Sequence, residues 1–147
     1  MTAERTFETL ARIESNPNPC KNFDMTKASE RTVLEALKAR EPIFHRREFG
    51  TSREALEAMT VPEFWEIGAS GKTYEREYVI SNLLERYQVP EPHDWLCRDF
   101  KLRQLSAELF LLTYILDEPD RCTRRSTIWK RESDEWKIVF HQGTVVD

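Results

Sequence analysis

Two runs rich in β-branched and aromatic residues, Arg124–Arg131 and Trp136–Thr144, flank the all-polar stretch Glu132-Ser133-Asp134-Glu135 in the last third of the chain. Polar residues of this kind do not continue a buried strand, so the segment reads as a β-hairpin. A turn centred on Ser133-Asp134 sets Trp129 opposite Ile138, Thr127 opposite Phe140 and Arg125 opposite Gln142, with Ile128 facing Val139 and Ser126 facing His141. Opposed residues share a face. One face then carries Trp129, Trp136, Ile138, Phe140 and Thr127, with Arg125 and Gln142 at one end; the other carries Ile128, Val139, Ser126 and His141. Apolar content on both faces predicts that both are at least partly covered, one by helices of the same chain and the other by a second subunit. Lys130 opposite Lys137 fits only a solvated end.

The rest of the chain supplies the cover. Val33, Leu34 and Leu37 make the buried stripe of a helix opening at Ser29, and Pro42 ends or kinks it. Thr51-Ser52-Arg53-Glu54 resembles a capping box for a second short helix that buries Leu56 and Met59. Val61–Gly68 alternates as a strand, with Phe64 and Glu66 on one face and Trp65 and Ile67 on the other. Thr73 is placed to cap a third helix over about Tyr74 to Tyr87, with Tyr78, Val79, Leu83 and Leu84 inward. After Pro90 and Pro92, two further strands are predicted at Trp95–Leu105 and Glu108–Leu116, the second apolar on both faces and therefore central. The order is helix, helix, strand, helix and a four-strand meander. Residues 1–28 stand apart, because Asn16-Pro17-Asn18-Pro19 interrupts one short amphipathic stretch. They read as an arm, either partly disordered or docked on a partner subunit, preceding a domain at 29–147.

Composition narrows the function classes. A net charge of -4 argues against nucleic acid as a main partner. Cys20, Cys97 and Cys122 are odd in number and widely spaced, so neither a disulfide framework nor a zinc site is signalled, and a reducing cytoplasm fits. No stretch is long and apolar enough to span a membrane. His45, His93 and His141 are scattered, so no metal site is expected. The Gly68–Gly71 turn lacks a following Lys-Ser or Lys-Thr and is not a phosphate loop.

Phe64-Trp65-Glu66-Ile67-Gly68-Ala69-Ser70-Gly71, Tyr74-Glu75-Arg76-Glu77, Arg125-Ser126-Thr127-Ile128-Trp129 and Trp136-x-Ile138-Val139-Phe140-His141-Gln142-Gly143-Thr144, in this order, resemble the nuclear transport factor 2-like superfamily, and within it a branch of uncharacterised bacterial domains of unknown function. The resemblance implies an α+β, cystatin-like fold: a curved antiparallel sheet wrapped over about three N-terminal helices, with an apolar pocket at the open end. It also implies dimerisation through the outer face of the sheet. The superfamily includes isomerases, dehydratases and cyclases that need no cofactor, as well as non-catalytic assembly modules, and fold alone does not choose among them.

Glu66 matches the general-base carboxylate that isomerases of this superfamily carry near the end of the corresponding strand. On an apolar wall its pKa would rise and it would move protons near neutral pH; the alternative is a structural pair with Arg76 or with the Gly68–Gly71 turn. His141 is the best single proton carrier of the chain. Its pairing with Ser126 lacks an orienting acid, so a structural histidine is the competing reading. Arg125 and Gln142, with Tyr114 and Trp129, are placed to fix a carboxylate or carbonyl of a small organic ligand, and Trp65 joins the same ligand-binding set. Arg125 paired to a buried acid is the alternative. Two functions follow: a ligand-binding pocket that performs proton transfer, or an interaction module whose cavity is filled by side chains.

Overall fold

The computed structural model describes residues 25–91 and 94–147. Among these, the order is helix α1 (Lys27–Lys38), a 3-10 turn (Arg47–Phe49), helix α2 (Arg53–Ala58), strands β1 (Thr60–Ile67) and β2 (Thr73–Glu75), helix α3 (Arg76–Arg86), and strands β3 (Leu96–Gln104), β4 (Leu109–Glu118), β5 (Arg121–Glu132) and β6 (Glu135–Val145). The strands form one sheet in the order β2-β1-β6-β5-β4-β3. The expected meander is present. The sheet is mixed rather than wholly antiparallel, because β1 runs parallel to β6.

Local chemistry explains most boundaries. The cap of α1 is Thr26, whose side chain accepts a hydrogen bond from the Ser29 amide, so the helix begins before the Ser29 start expected from sequence. The second helix forms as expected, but its cap is Ser52, one residue after the Thr51 of the expected capping box, accepting from the Ala55 amide. Thr73 does not cap α3; Thr73–Glu75 pairs with β1 as a short strand, and the helix starts at Arg76. The buried face also differs from the expected one: Val79, Ile80 and Leu83 are buried, while Tyr78 is exposed and stacks on Tyr74. Gly50, at φ 117°, ends the 3-10 turn, and a Cβ there would lie 2.4 Å from the Ala55 Cβ. Gly50→Ala is therefore expected to cost roughly 1–3 kcal/mol; thermal unfolding at matched concentration checks it, and an unchanged Tm would show that α2 moves freely.

The core lies between the helices and one face of the sheet. Leu37, Leu56, Phe64, Ile80, Phe110, Leu112, Leu116 and Ile138 are fully buried in it. The hairpin supplies much of this face, and its register is half as expected. Near the turn, Trp129 pairs with Ile138, Lys130 with Lys137 and Arg131 with Trp136. Glu132 reconciles the two lysines, lying 3.0 Å from Lys130 Nζ and 3.6 Å from Lys137 Nζ. Beyond Trp129 the ladder shifts by one residue at a bulge, and Ile128 pairs with Phe140, Thr127 with His141, Ser126 with Gln142 and Arg125 with Gly143. One extra residue sends every later side chain of that strand to the opposite face. Phe140 and Gln142 move to the outer face, and His141 moves to the inner one. The expected Ser126–His141 and Arg125–Gln142 pairs therefore do not form.

Candidate functional site

An open cavity of about 1180 Å³ lies between the inner face of the sheet, α3, the segment after α1 and the segment before β3. Pockets for small molecules typically span about 300–1,000 Å³, so this one is large enough for an organic ligand. Glu66 from β1, Arg125 from β5 and His141 from β6 line it, and Gly143 opposite Arg125 leaves the guanidinium room. Glu66 and His141 are register partners on the parallel β1–β6 pair, so neighbouring strands present them side by side.

Burial governs the titration of this wall. It raises the Glu66 pKa, with Arg125 and Arg86 pulling in the other direction. Glu66 makes no ion pair among the described residues: Arg76 instead bonds Thr60 Oγ1 and the Glu57 carbonyl. Burial, reinforced by Arg125 and His45, pushes the His141 imidazole down to about 3, so it is neutral at physiological pH. Its Nδ1 lies 2.9 Å from Thr127 Oγ1, while Nε2 is buried without a hydrogen-bond partner. Arg125 donates from Nε to Thr123 Oγ1 at 3.1 Å and stands 3.9 Å from Glu118, which leaves guanidinium N–H groups for an anion in the cavity. A carboxylate of raised pKa, a neutral imidazole and a fixed cation make up a set able to hold an anionic molecule and move a proton on it.

Two features were not read from sequence. His45, which the sequence joined to no partner, is half-buried on the cavity wall with its Nδ1 against the Glu91 carboxylate, and it packs edge-on to Trp95. Burial lowers its pKa while Glu91 acts against the shift. Forty-six positions separate the partners by count along the chain, so no spacing rule could have joined them. The second is Glu41, fully buried. It accepts from Tyr114 Oη at 2.6 Å, Trp129 Nε1 at 3.1 Å and the Ile43 amide at 2.9 Å. Burial raises its pKa, and these donors oppose the rise.

Glu41 also explains where two of the expected ligand-binding residues go. Tyr114 and Trp129 turn their polar atoms to its carboxylate and do not line the cavity. Trp65 and Gln142 stand on the outer face, where Trp65 packs on Phe140 at 4.5 Å between ring centroids. Of the residues singled out from sequence, Glu66, His141 and Arg125 are brought together. Cys97 and Cys122 are free thiols. Among the described residues, no three His, Cys, Asp or Glu side chains are grouped so as to hold a metal ion, and no helix is long and apolar enough to cross a membrane.

Comparison with solved structures places the fold. An NTF2-like protein from Cytophaga hutchinsonii superposes with a TM-score of 0.62 at 16% identity, covering 83% of this chain and 100% of its own. The fold is NTF2-like. A cystatin-like fold protein from Burkholderia xenovorans (TM-score 0.59, 17% identity, covering 79% of this chain and 90% of its own) agrees. So does a DUF3225-family protein of unknown function from Pectobacterium atrosepticum (TM-score 0.57, 15% identity, 79% and 92% covered). No family model and no curated protein matches the sequence. The NTF2-like fold accounts for the mixed sheet over three helices and leaves the chemistry of the cavity to this chain's own residues.

Proposed function

We propose that this NTF2-like protein binds a small anionic organic molecule in its cavity and catalyses a proton transfer on it, of the isomerisation, dehydration or cyclisation kind. The observation that carries the reading is the convergence of Glu66, His141 and Arg125 on one wall of a ligand-sized cavity. Arg125 would hold the anionic group, and Glu66 would serve as acid or base. Both roles fall to side chains, so the chemistry calls for no cofactor. We place the protein in the cytoplasm, where free thiols persist.

The outer sheet face favours a second property. Leu111, Ile128 and Phe140 are only half-buried there, and Trp65 is 42% exposed. We propose that two copies pair through this face, which supports an assembly role even if no turnover occurs. Native mass spectrometry of the purified chain reads both properties: a dimer carrying a defined extra mass is expected, and a bare monomer would count against the interface.

Small carboxylic acids screened by ligand-observed NMR test the cavity directly. Arg125→Met should weaken any that bind by about tenfold or more, the value of a lost charge-assisted contact. Glu66→Gln should still bind and fail to turn over. Unchanged affinity in the first variant, or normal turnover in the second, removes the corresponding role.

A further inference from the structure

Part of the cavity wall is a stack of two aromatic rings that the roles assigned above leave unused. Tyr74 on β2 is the register partner of Glu66 on β1, and opposed residues share a face, so its ring stands beside the carboxylate. Tyr78, in the first turn of α3, lies over that ring with centroids 5.0 Å apart and planes 8° apart. Both rings line the cavity. Gly68, in the turn after β1, gives the inner ring its place: a Cβ there would come within 2.9 Å of Tyr74 Cε2.

Tyr74 covers one face of Tyr78, yet Tyr78 stays 56% exposed, so its second face is open. The other aromatic rings of the wall are already engaged. Phe44 is buried and meets Phe64 edge-on, and Trp95 carries the Arg46 guanidinium over its ring at 4.6 Å. A lone exposed tyrosine calls for no explanation. One that is laid flat on a second ring, in the cavity that also holds Glu66 and Arg125, offers a surface on which another flat ring can stack.

We propose, building on the anionic ligand assigned above, that Tyr78 is a stacking platform and that the ligand is an aromatic carboxylic acid. Its carboxylate is held by Arg125 and its ring lies on the open face of Tyr78. Specificity then divides between two side chains: Arg125 selects charge, and Tyr78 selects planarity.

The test compares cinnamate with cyclohexanepropionate, which has the same charge and nearly the same length but no flat ring. Affinities are read by NMR titration of the full chain at pH 7.5, where both acids are ionised. Wild type should prefer cinnamate by roughly two- to tenfold, the worth of an aromatic pair beyond its buried area. Tyr78→Leu, a change at an exposed position that keeps apolar bulk, should abolish the preference, and Tyr78→Phe should keep it. Equal affinities in wild type overturn the platform, as does a preference that survives in Tyr78→Leu. Loss of the preference in Tyr78→Phe would assign it to the hydroxyl and also overturn the stack. In these cases a weakening of both acids by Arg125→Met would leave the anionic reading of the cavity standing. Failure of both acids to bind overturns the platform and that reading together.

Discussion

Glu41→Ala is expected to lose roughly 3–5 kcal/mol of folding stability, on the basis that each buried donor left unpaired costs about 1–3 kcal/mol. The carboxylate receives Tyr114 Oη, Trp129 Nε1 and the Ile43 amide. These groups come from β4, β5 and the segment after α1, so one side chain ties the helical layer to the centre of the sheet. Truncation strands all three donors where water does not reach them. An opposing effect is the desolvation cost of a buried carboxylate, which disappears with the charge. The balance is set by number: one desolvated group is removed and three unsatisfied groups are created. Urea unfolding at pH 7, compared at the midpoint with unchanged m-value, reads the result. A loss below about 1 kcal/mol would mean that desolvation nearly cancels the bonds.

Acid should unfold the protein through His141. Its folded pKa is about 3, against about 6.5 in an unfolded chain. Below the unfolded value the unfolded state takes up a proton that the native state refuses. The contribution is therefore fully present above about pH 6.5 and is lost as pH falls toward the folded pKa. The slope for one proton is about 1.4 kcal/mol per pH unit, so roughly 3 kcal/mol is lost by pH 4. His45 is shifted the same way by burial. Glu41 and Glu66 are shifted upward and act in the opposite sense, since their contribution is present at low pH and lost as pH rises through their folded pKa values. Comparison with His141→Gln cancels these other groups, because they are present in both proteins. Wild type should lose roughly 3 kcal/mol more than the variant between pH 7 and pH 4. Parallel stability curves would show that the native state accepts the proton on His141.

The bulge near Val139 shows how far a pattern can be trusted. On either side of it both registers place apolar residues on both faces, since Val139 and Phe140 are equally at home inside or outside. Alternation is then blind to a one-residue slip. The consequence falls on the residues that matter for chemistry, with His141 carried to the cavity and Gln142 away from it. Glu66 escaped this ambiguity because Phe64, two residues earlier, is plainly core. Tyr114 and Trp129 were correctly placed on the inner face, but their polar atoms answer to Glu41. A glutamate between an arginine and a proline carries no local mark of burial.

Periodicity, capping residues and proline positions were enough to establish the α+β class, the order of the elements apart from the short strand β2, and the inner position of Glu66 and Arg125. Those properties follow from interactions between residues close in the chain and from the two-residue repeat of a strand. The bulge, the parallel docking of β1 on β6, the His45–Glu91 contact and the burial of Glu41 depend on residues brought together from distant segments. Such contacts are settled by how layers pack and by which buried polar groups find partners, and no short-range pattern in the chain encodes that accounting.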